Sequence, residues 1–183
     1  MTGVLFVCTG NVYRSALAER LLAARLGPGS AVRSGSAGTE AWHRAGMDGA
    51  TRRVLEELGG DGADFASRPL AAPLVADAAL VLGLAREHRE AAVRLVPAAL
   101  RRCFTLKEFL RLAAGAEVPP GGAAAAVAAV AARRGRVAAV APEEDDIADP
   151  WGRPHHELYA CAREIDGQVT RLVRVLQGPG TTV

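Results

Sequence analysis

The chain opens on an unbroken apolar run, Gly3 to Val7, that ends in Cys-Thr-Gly-Asn, the pattern of a buried strand running into a loop. From Ser15 the period changes. In SALAERLLAARLG, the residues Leu17, Leu21, Leu22, Ala24 and Leu26 recur at helical spacing, with Ser15 as the expected N-cap and Gly27-Pro28 as the stop. Ala31 to Arg33 reads as a short strand before the small-residue turn SGSAG, and Asp48 to Leu58 as a second amphipathic helix closed by Gly59-Gly60. A buried strand at Ala78 to Leu82 and a helix at Arg86 to Leu95 follow. A short strand, Arg102 to Thr105, then leads into a helix at Lys107 to Ala114. The run GGAAAAVAAVAARRG, between Pro119-Pro120 and Gly135, predicts a helix with an almost featureless surface. A long last helix from His156 to Leu176 carries the stripe Leu158, Cys161, Ile165, Val169, Leu172, Val173 and Leu176. Strands alternating with helices predict an α/β fold, a parallel sheet covered on both faces, in one domain over 1–183.

Composition narrows the class. The 183 residues are 50% hydrophobic, 23% charged and 4% aromatic, and 38 of them are alanine. Lys107 is the sole lysine, so arginine supplies 21 of the 22 basic residues. These values exclude a disulfide scaffold, a collagen and a disordered charged tail. The longest uncharged run, Val118 to Ala132, is about fifteen residues, short of the roughly twenty that span a bilayer. With no basic segment ahead of an apolar core at the N-terminus, the expectation is a cytoplasmic protein without a membrane partner. Cys8, Cys103 and Cys161 have no close pair, as suits a reducing compartment. A net charge of +2 from scattered arginines does not indicate a nucleic-acid partner.

The chemistry concentrates in Cys8-Thr9-Gly10-Asn11-Val12-Tyr13-Arg14-Ser15, set between a strand and a helix. Such a junction gathers unpaired backbone N–H groups and the positive helix end at one point, an anion site. A cysteine in that field beside Arg14 is favoured as the thiolate. Five residues between Cys8 and Arg14 let one turn of loop wrap a tetrahedral dianion, with the thiolate beneath phosphorus and the guanidinium fork on two oxygens. Gly10 and Asn11 tolerate the left-handed backbone such a loop needs. Ser15 can donate its hydroxyl to the thiolate and also cap the helix. The bland alternative is a buried core cysteine followed by a capped helix. Phosphate-ester cleavage by a thiolate also needs an acid for the leaving oxygen and then a base for water. Asp149 in Asp149-Pro150-Trp151 suits both roles; the bland reading of that segment is a helix-initiating turn beside the acidic cluster Glu143 to Asp146.

The segments VLFVCTGNVYRSALAE, SAGTEAW (36–42) and DIADPWG (146–152) closely resemble the low-molecular-weight protein-tyrosine phosphatases, in that family's order. The resemblance runs from Gly3 to about Leu176. It implies a four-stranded parallel sheet flanked by helices on both faces, a Rossmann-like three-layer sandwich. It also implies a phosphocysteine intermediate, with no cofactor and no metal. By motif position Cys8 would be the nucleophile, Arg14 the phosphate clamp, Ser15 the thiolate's support and Asp149 the general acid, then base. Thr9, Gly10, Asn11, Val12 and Tyr13 would complete the phosphate loop, Asn11 and Ser36 would hold its shape, and Trp42 and Trp151 would wall the substrate cleft. The implied substrate is a phosphotyrosine protein or a small aryl phosphate.

Several positions depart from the family. Tyr13 stands where a second cysteine usually allows a protective disulfide, and Ala16 where proline is common. A loop-supporting histidine would fall near Phe65. Val12 stands where the related arginine phosphatases have threonine, which points toward phosphotyrosine. The Ala-rich stretch at about 115–140 is a lid, a partner surface or an elaboration.

Elsewhere the bland readings lead. Cys103 and Cys161 read as buried, His43 and His88 as surface residues, His155-His156 as a helix start, and Arg133, Arg134 and Arg136 as a solvated helix end. Two rival functions share the anion loop. An arsenate reductase would need two further cysteines in a mobile redox segment, or an external thiol. A non-catalytic phosphate-binding module would not need Asp149.

Overall fold

A computed structural model describes residues 2–117 and 122–177 of the chain. Its frame is four parallel strands in the spatial order β2-β1-β5-β6. They are β1 (Thr2–Cys8), β2 (Val32–Gly38), β5 (Leu80–Gly83) and β6 (Cys103–Thr105). β1 is apolar on both faces because helices cover both. Val4, Phe6 and Cys8 join Leu82 and Phe104 in a core built with Leu17, Phe109, Ile165 and Leu172. Leu5 and Val7 join Val81 and Cys103 against Val75, Ala92 and Ala99. The first layer holds α1 (Arg14–Leu26), α5 (Leu106–Ala113), α6 (Gly122–Ala131) and α7 (His155–Gln177); the second holds α3 (Ala72–Asp77) and α4 (Arg86–Leu95). α2 (Gly49–Glu57) packs on the first layer through Val54 and Leu55. The expected four-stranded parallel sandwich is therefore present. Cys8 ends β1, the strand with β2 on one side and β5 on the other, which is the reversal point where open α/β sheets form their crevices.

Three sequence expectations change. β2 does not stop at Arg33: the segment SGSAG continues it, in register with β1 from Thr2 opposite Val32 to Cys8 opposite Gly38. Its small residues serve a crossing, not a turn. A Cβ on Gly35 would stand 2.9 Å from the Arg68 guanidinium, and one on Gly38 would stand 2.5 Å from the Thr9 carbonyl oxygen. α1 begins at Arg14, so the N-cap is Tyr13, with no side-chain cap bond, and Ser15 lies inside the helix. A two-stranded antiparallel pair, β3 (Arg44–Ala45) with β4 (Ala66–Ser67), was not legible, being only two residues long on each side.

The Ala-rich segment is core. In α6 Ala123, Ala126, Val127 and Val130 are buried, and the helix packs against α5 and α7. Of the three arginines after it, Arg136 is exposed as expected, but Arg133 and Arg134 are bonded to the fold. Arg134 donates to Glu108 at 3.1 Å and to the Leu100 carbonyl at 2.7 Å, with its guanidinium 3.8 Å over the Phe104 ring. Arg133 donates to the Gly115 carbonyl at 2.9 Å. The Pro119-Pro120 boundary lies outside the described residues. Among the described residues, no helix is long and apolar enough to cross a membrane.

Candidate active site

The loop 8–13 turns from the end of β1 into α1, and the chain around it is arranged to hold it open toward an anion. Because Tyr13 offers no cap and the first turn carries no acidic residue, the N-terminal amides of α1 are left for a ligand. Asn11 sits at φ +50°, a left-handed conformation that side-chain bonds secure. It is fully buried. Its Nδ2 donates to Ser15 Oγ at 2.9 Å and to Ser36 Oγ at 2.7 Å, while its Oδ1 accepts the Arg68 amide at 2.9 Å. Ser36 in turn donates to Glu19 Oε2. Burial pushes the Glu19 carboxyl up, opposed by the Ser36 bond and by the charges of Arg20 and Arg68.

This network sets a direction at the nucleophile. Ser15 Oγ already accepts from Asn11, so its own proton is free for Cys8 Sγ, 2.9 Å away. Cys8 is 3% exposed and forms the floor of a 270 Å³ cavity whose walls include Val12, Tyr13, Arg14, Asp149 and Trp151.

Arg14 reaches across that cavity. Its Nη1 donates to the Ile147 carbonyl at 3.1 Å and its Nη2 to Asp149 Oδ2 at 2.6 Å, with a longer contact from Nη2 to Thr9 Oγ1 at 3.4 Å. The loop carrying Asp149 is fixed from behind. The Ile147 amide bonds to the Leu84 carbonyl at 2.8 Å, just past β5, and the Ile147 side chain is buried. Asp146 accepts the Arg86 amide at 2.7 Å at the start of α4. Thus β1, α1 and the 147–151 loop, anchored just past β5, deliver Cys8, Arg14 and Asp149 to one point.

The remaining expected residues divide. Thr9, Gly10, Val12 and Tyr13 line the cavity, and Asn11 and Ser36 support it from beneath. Trp151 lines the cavity and is 79% exposed. Trp42 is 85% exposed, ahead of β3, and is not among the cavity's lining residues. The place expected for a supporting histidine is filled differently. Phe65 is buried under the Arg20 guanidinium, and the Arg68 backbone amide holds Asn11 instead.

One residue that the sequence places elsewhere joins the site, and one expected loop residue makes an unexpected bond. His88 is not a surface residue: it is 1% exposed, with Nε2 3.0 Å from Thr9 Oγ1. Burial, helped by the Arg14 charge and opposed by Asp149, pushes it down to about 4. The signal was its place four residues before buried Ala92 on α4. Tyr13 donates its hydroxyl to the Leu158 carbonyl at 2.6 Å, tying the phosphate loop to α7, and burial pushes its phenol up. No periodicity announces that bond.

A buried cysteine at a helix N-terminus, backed by a serine hydroxyl and faced by an arginine and an aspartate, on this sheet, defines the cysteine-dependent phosphoric monoester hydrolases. Residues 3–121 match the low molecular weight phosphotyrosine protein phosphatase family, and the chain belongs to it. A protein-arginine-phosphatase from Geobacillus stearothermophilus is 31% identical over 175 residues, 95% of each chain. A low molecular weight protein-tyrosine-phosphatase from Streptomyces coelicolor is 41% identical over 98 residues, 51% of this chain and 59% of that one. The solved low molecular weight protein tyrosine phosphatase from T. tengcongensis superposes with a TM-score of 0.70 at 28% identity, covering 94% of this chain and 98% of that one.

Proposed function

We propose that the chain hydrolyses phosphotyrosine in proteins, with Cys8 as nucleophile, Arg14 as phosphate clamp and Asp149 as acid and then base. The observation that carries this reading is the cavity itself. Its floor is Cys8, one wall joins Arg14 to Asp149, and the rim is Val12, Tyr13 and Trp151. In the first step Cys8 Sγ attacks phosphorus in line while the P–O bond to the phenol breaks and Asp149 delivers a proton to the leaving oxygen. The α1 amides and Arg14 hold the equatorial oxygens through the transition state. In the second step Asp149 takes a proton from water, the water oxygen bonds to phosphorus, and the S–P bond breaks to return the thiolate and inorganic phosphate.

Two features favour an aryl ester. Cys8 is almost fully buried while Trp151, on the same cavity, stands exposed, an arrangement that suits a long aryl spacer better than the short side chain of phosphoserine. Val12, which also lines the cavity, is apolar and offers no side-chain acceptor to a polar leaving group. Phosphoarginine is the second reading. Glu40 also lines the cavity, a carboxylate that could meet a guanidinium, and a relative across most of the chain is named a protein-arginine-phosphatase. A panel of phosphotyrosine, phosphoserine and phosphoarginine peptides, an aryl phosphate and arsenate separates these readings. The proposal expects phosphotyrosine to give the highest kcat/KM. A higher value for phosphoarginine would reverse the assignment, and arsenate-dependent thiol consumption would replace it.

A further inference from the structure

A second cavity, of 350 Å³, lies against the first and shares Val12, Tyr13, Asp149 and Trp151 with it. Beyond them its walls include Pro150 and Leu158, and it extends to the start of α2 at Ala50. We propose that this cavity is a specificity subsite that takes a large apolar side chain of the substrate protein, close in sequence to the phosphorylated tyrosine. The proposal rests on the phosphotyrosine reading above and adds the chemistry of the flanking residue.

Three observations commit the site to that occupant. First, Trp151 lines both cavities, so a chain whose phosphate lies over Cys8 has the second cavity just across this shared wall. An extended chain advances about 3.3 Å per residue, which brings a neighbour within roughly three positions to the second cavity. Second, the polar groups at its edge are already satisfied. Asp48 accepts the Ala50 and Thr51 amides at 3.0 and 3.3 Å, and the Tyr13 hydroxyl is spent on the Leu158 carbonyl. The α2 N-terminus therefore does not call for an anion, and apart from the Asp149 carboxylate on the shared wall what remains to be covered is largely apolar. Third, Trp151 stands 79% exposed beside the buried ring of Pro150, a large apolar surface left to solvent where the substrate must lie.

The experiment is a set of phosphotyrosine peptides, alanine at all flanking positions, with phenylalanine introduced at one position at a time up to three residues on either side. Burying such a ring raises kcat/KM about tenfold at one favoured position, through KM, while kcat stays constant. Ala50→Phe fills the cavity and abolishes the preference while leaving turnover of a small aryl phosphate at the wild-type level. Ala50→Asp, which the α2 N-terminus tolerates, does the same by placing a charge in the cavity. A flat peptide profile with aryl phosphate turnover intact overturns the subsite and leaves the catalytic reading standing. So does a preference that survives in both variants. A wild-type dimer that Ala50→Phe dissociates would make a second copy of the chain the occupant. Wild-type protein inactive on every phosphotyrosine peptide and on the aryl phosphate overturns the subsite together with the reading beneath it.

Discussion

Arg14 and Asp149 occupy one another: Nη2 lies 2.6 Å from Oδ2, with the arginine side chain 5% exposed and the carboxylate 49%. The proposed mechanism needs both groups for other partners. An incoming phosphate dianion competes with Asp149 for the guanidinium, and once it wins, the carboxylate is released to face the leaving oxygen. Substrate binding would thereby prepare the acid that the first step consumes.

That relationship makes Asp149→Asn informative. Loss of the acid lowers kcat on a phosphotyrosine peptide by about 10²–10⁴. Loss of the competing charge lowers the inhibition constant for inorganic phosphate severalfold in the same protein. Steady-state kinetics with phosphate as inhibitor measures both, and a variant that binds phosphate more weakly would contradict the competition.

Ser15→Ala removes the hydroxyl that faces Cys8 at 2.9 Å. A hydrogen bond to a charged group is worth about 1.5–3 kcal/mol, so inactivation by iodoacetate at neutral pH slows roughly tenfold or more. Unchanged inactivation would mean that the thiolate is held by the loop amides and the helix end alone.

Asn11→Ala deletes three hydrogen bonds from a buried site and places alanine at φ +50°. The expected cost is about 3 kcal/mol, or a fall of roughly 6–12 °C in Tm for a chain of this size. Thermal unfolding checks this. Asn11→Gly, which relieves the backbone but not the bonds, should recover part of the loss.

His88 gives the fold an acid-side sensitivity. Its folded value is lowered to about 4, so as pH falls from about 6.5 toward 4 the unfolded chain takes up a proton that the folded protein refuses. Stability from this group is present above pH 6.5 and declines by about 3 kcal/mol by pH 4. Urea midpoints for wild type and His88→Gln should diverge less at pH 4.5 than at pH 7.5, because the variant lacks this titration. Parallel midpoints would show that His88 ionises freely in the fold.

Oxidation should be hard to reverse. Tyr13 stands next to Arg14 in the loop, and burial pushes the Cys161 thiol up to about 12 and raises that of Cys103. Neither thiol readily supplies a thiolate to trap oxidised Cys8 as a disulfide, and the sulfur proceeds up the oxidation ladder. After excess hydrogen peroxide, dithiothreitol should restore little activity to wild type and more to Tyr13→Cys. Full recovery of wild type, with a Cys8–Cys161 disulfide in the mass spectrum, would contradict this.

What the sequence made legible follows the range of the interactions. Cys8, Arg14 and Ser15 share one strand–loop–helix unit, so spacing alone brought them together. Asp149 needed motif resemblance, because 135 residues separate it from the arginine it touches. β2 was cut short because SGSAG reads locally as a turn, while its pairing with β1 and the crossing of Arg68 decide otherwise. Ser15 was assigned a cap it does not make, since a serine at a helix start can also turn its hydroxyl to a thiol. Alanine hid the place of α6, because small side chains give no amphipathic contrast even where four residues are buried.

The most direct test of the central claim is a rapid acid quench of the wild-type protein turning over a phosphotyrosine peptide, followed by mass spectrometry of its cysteine-containing fragments. The account predicts a phosphoryl group on Cys8 alone, absent from Cys8→Ser, which should not turn over. Turnover by Cys8→Ser at the wild-type rate, or a phosphoryl group on any other residue, would contradict it.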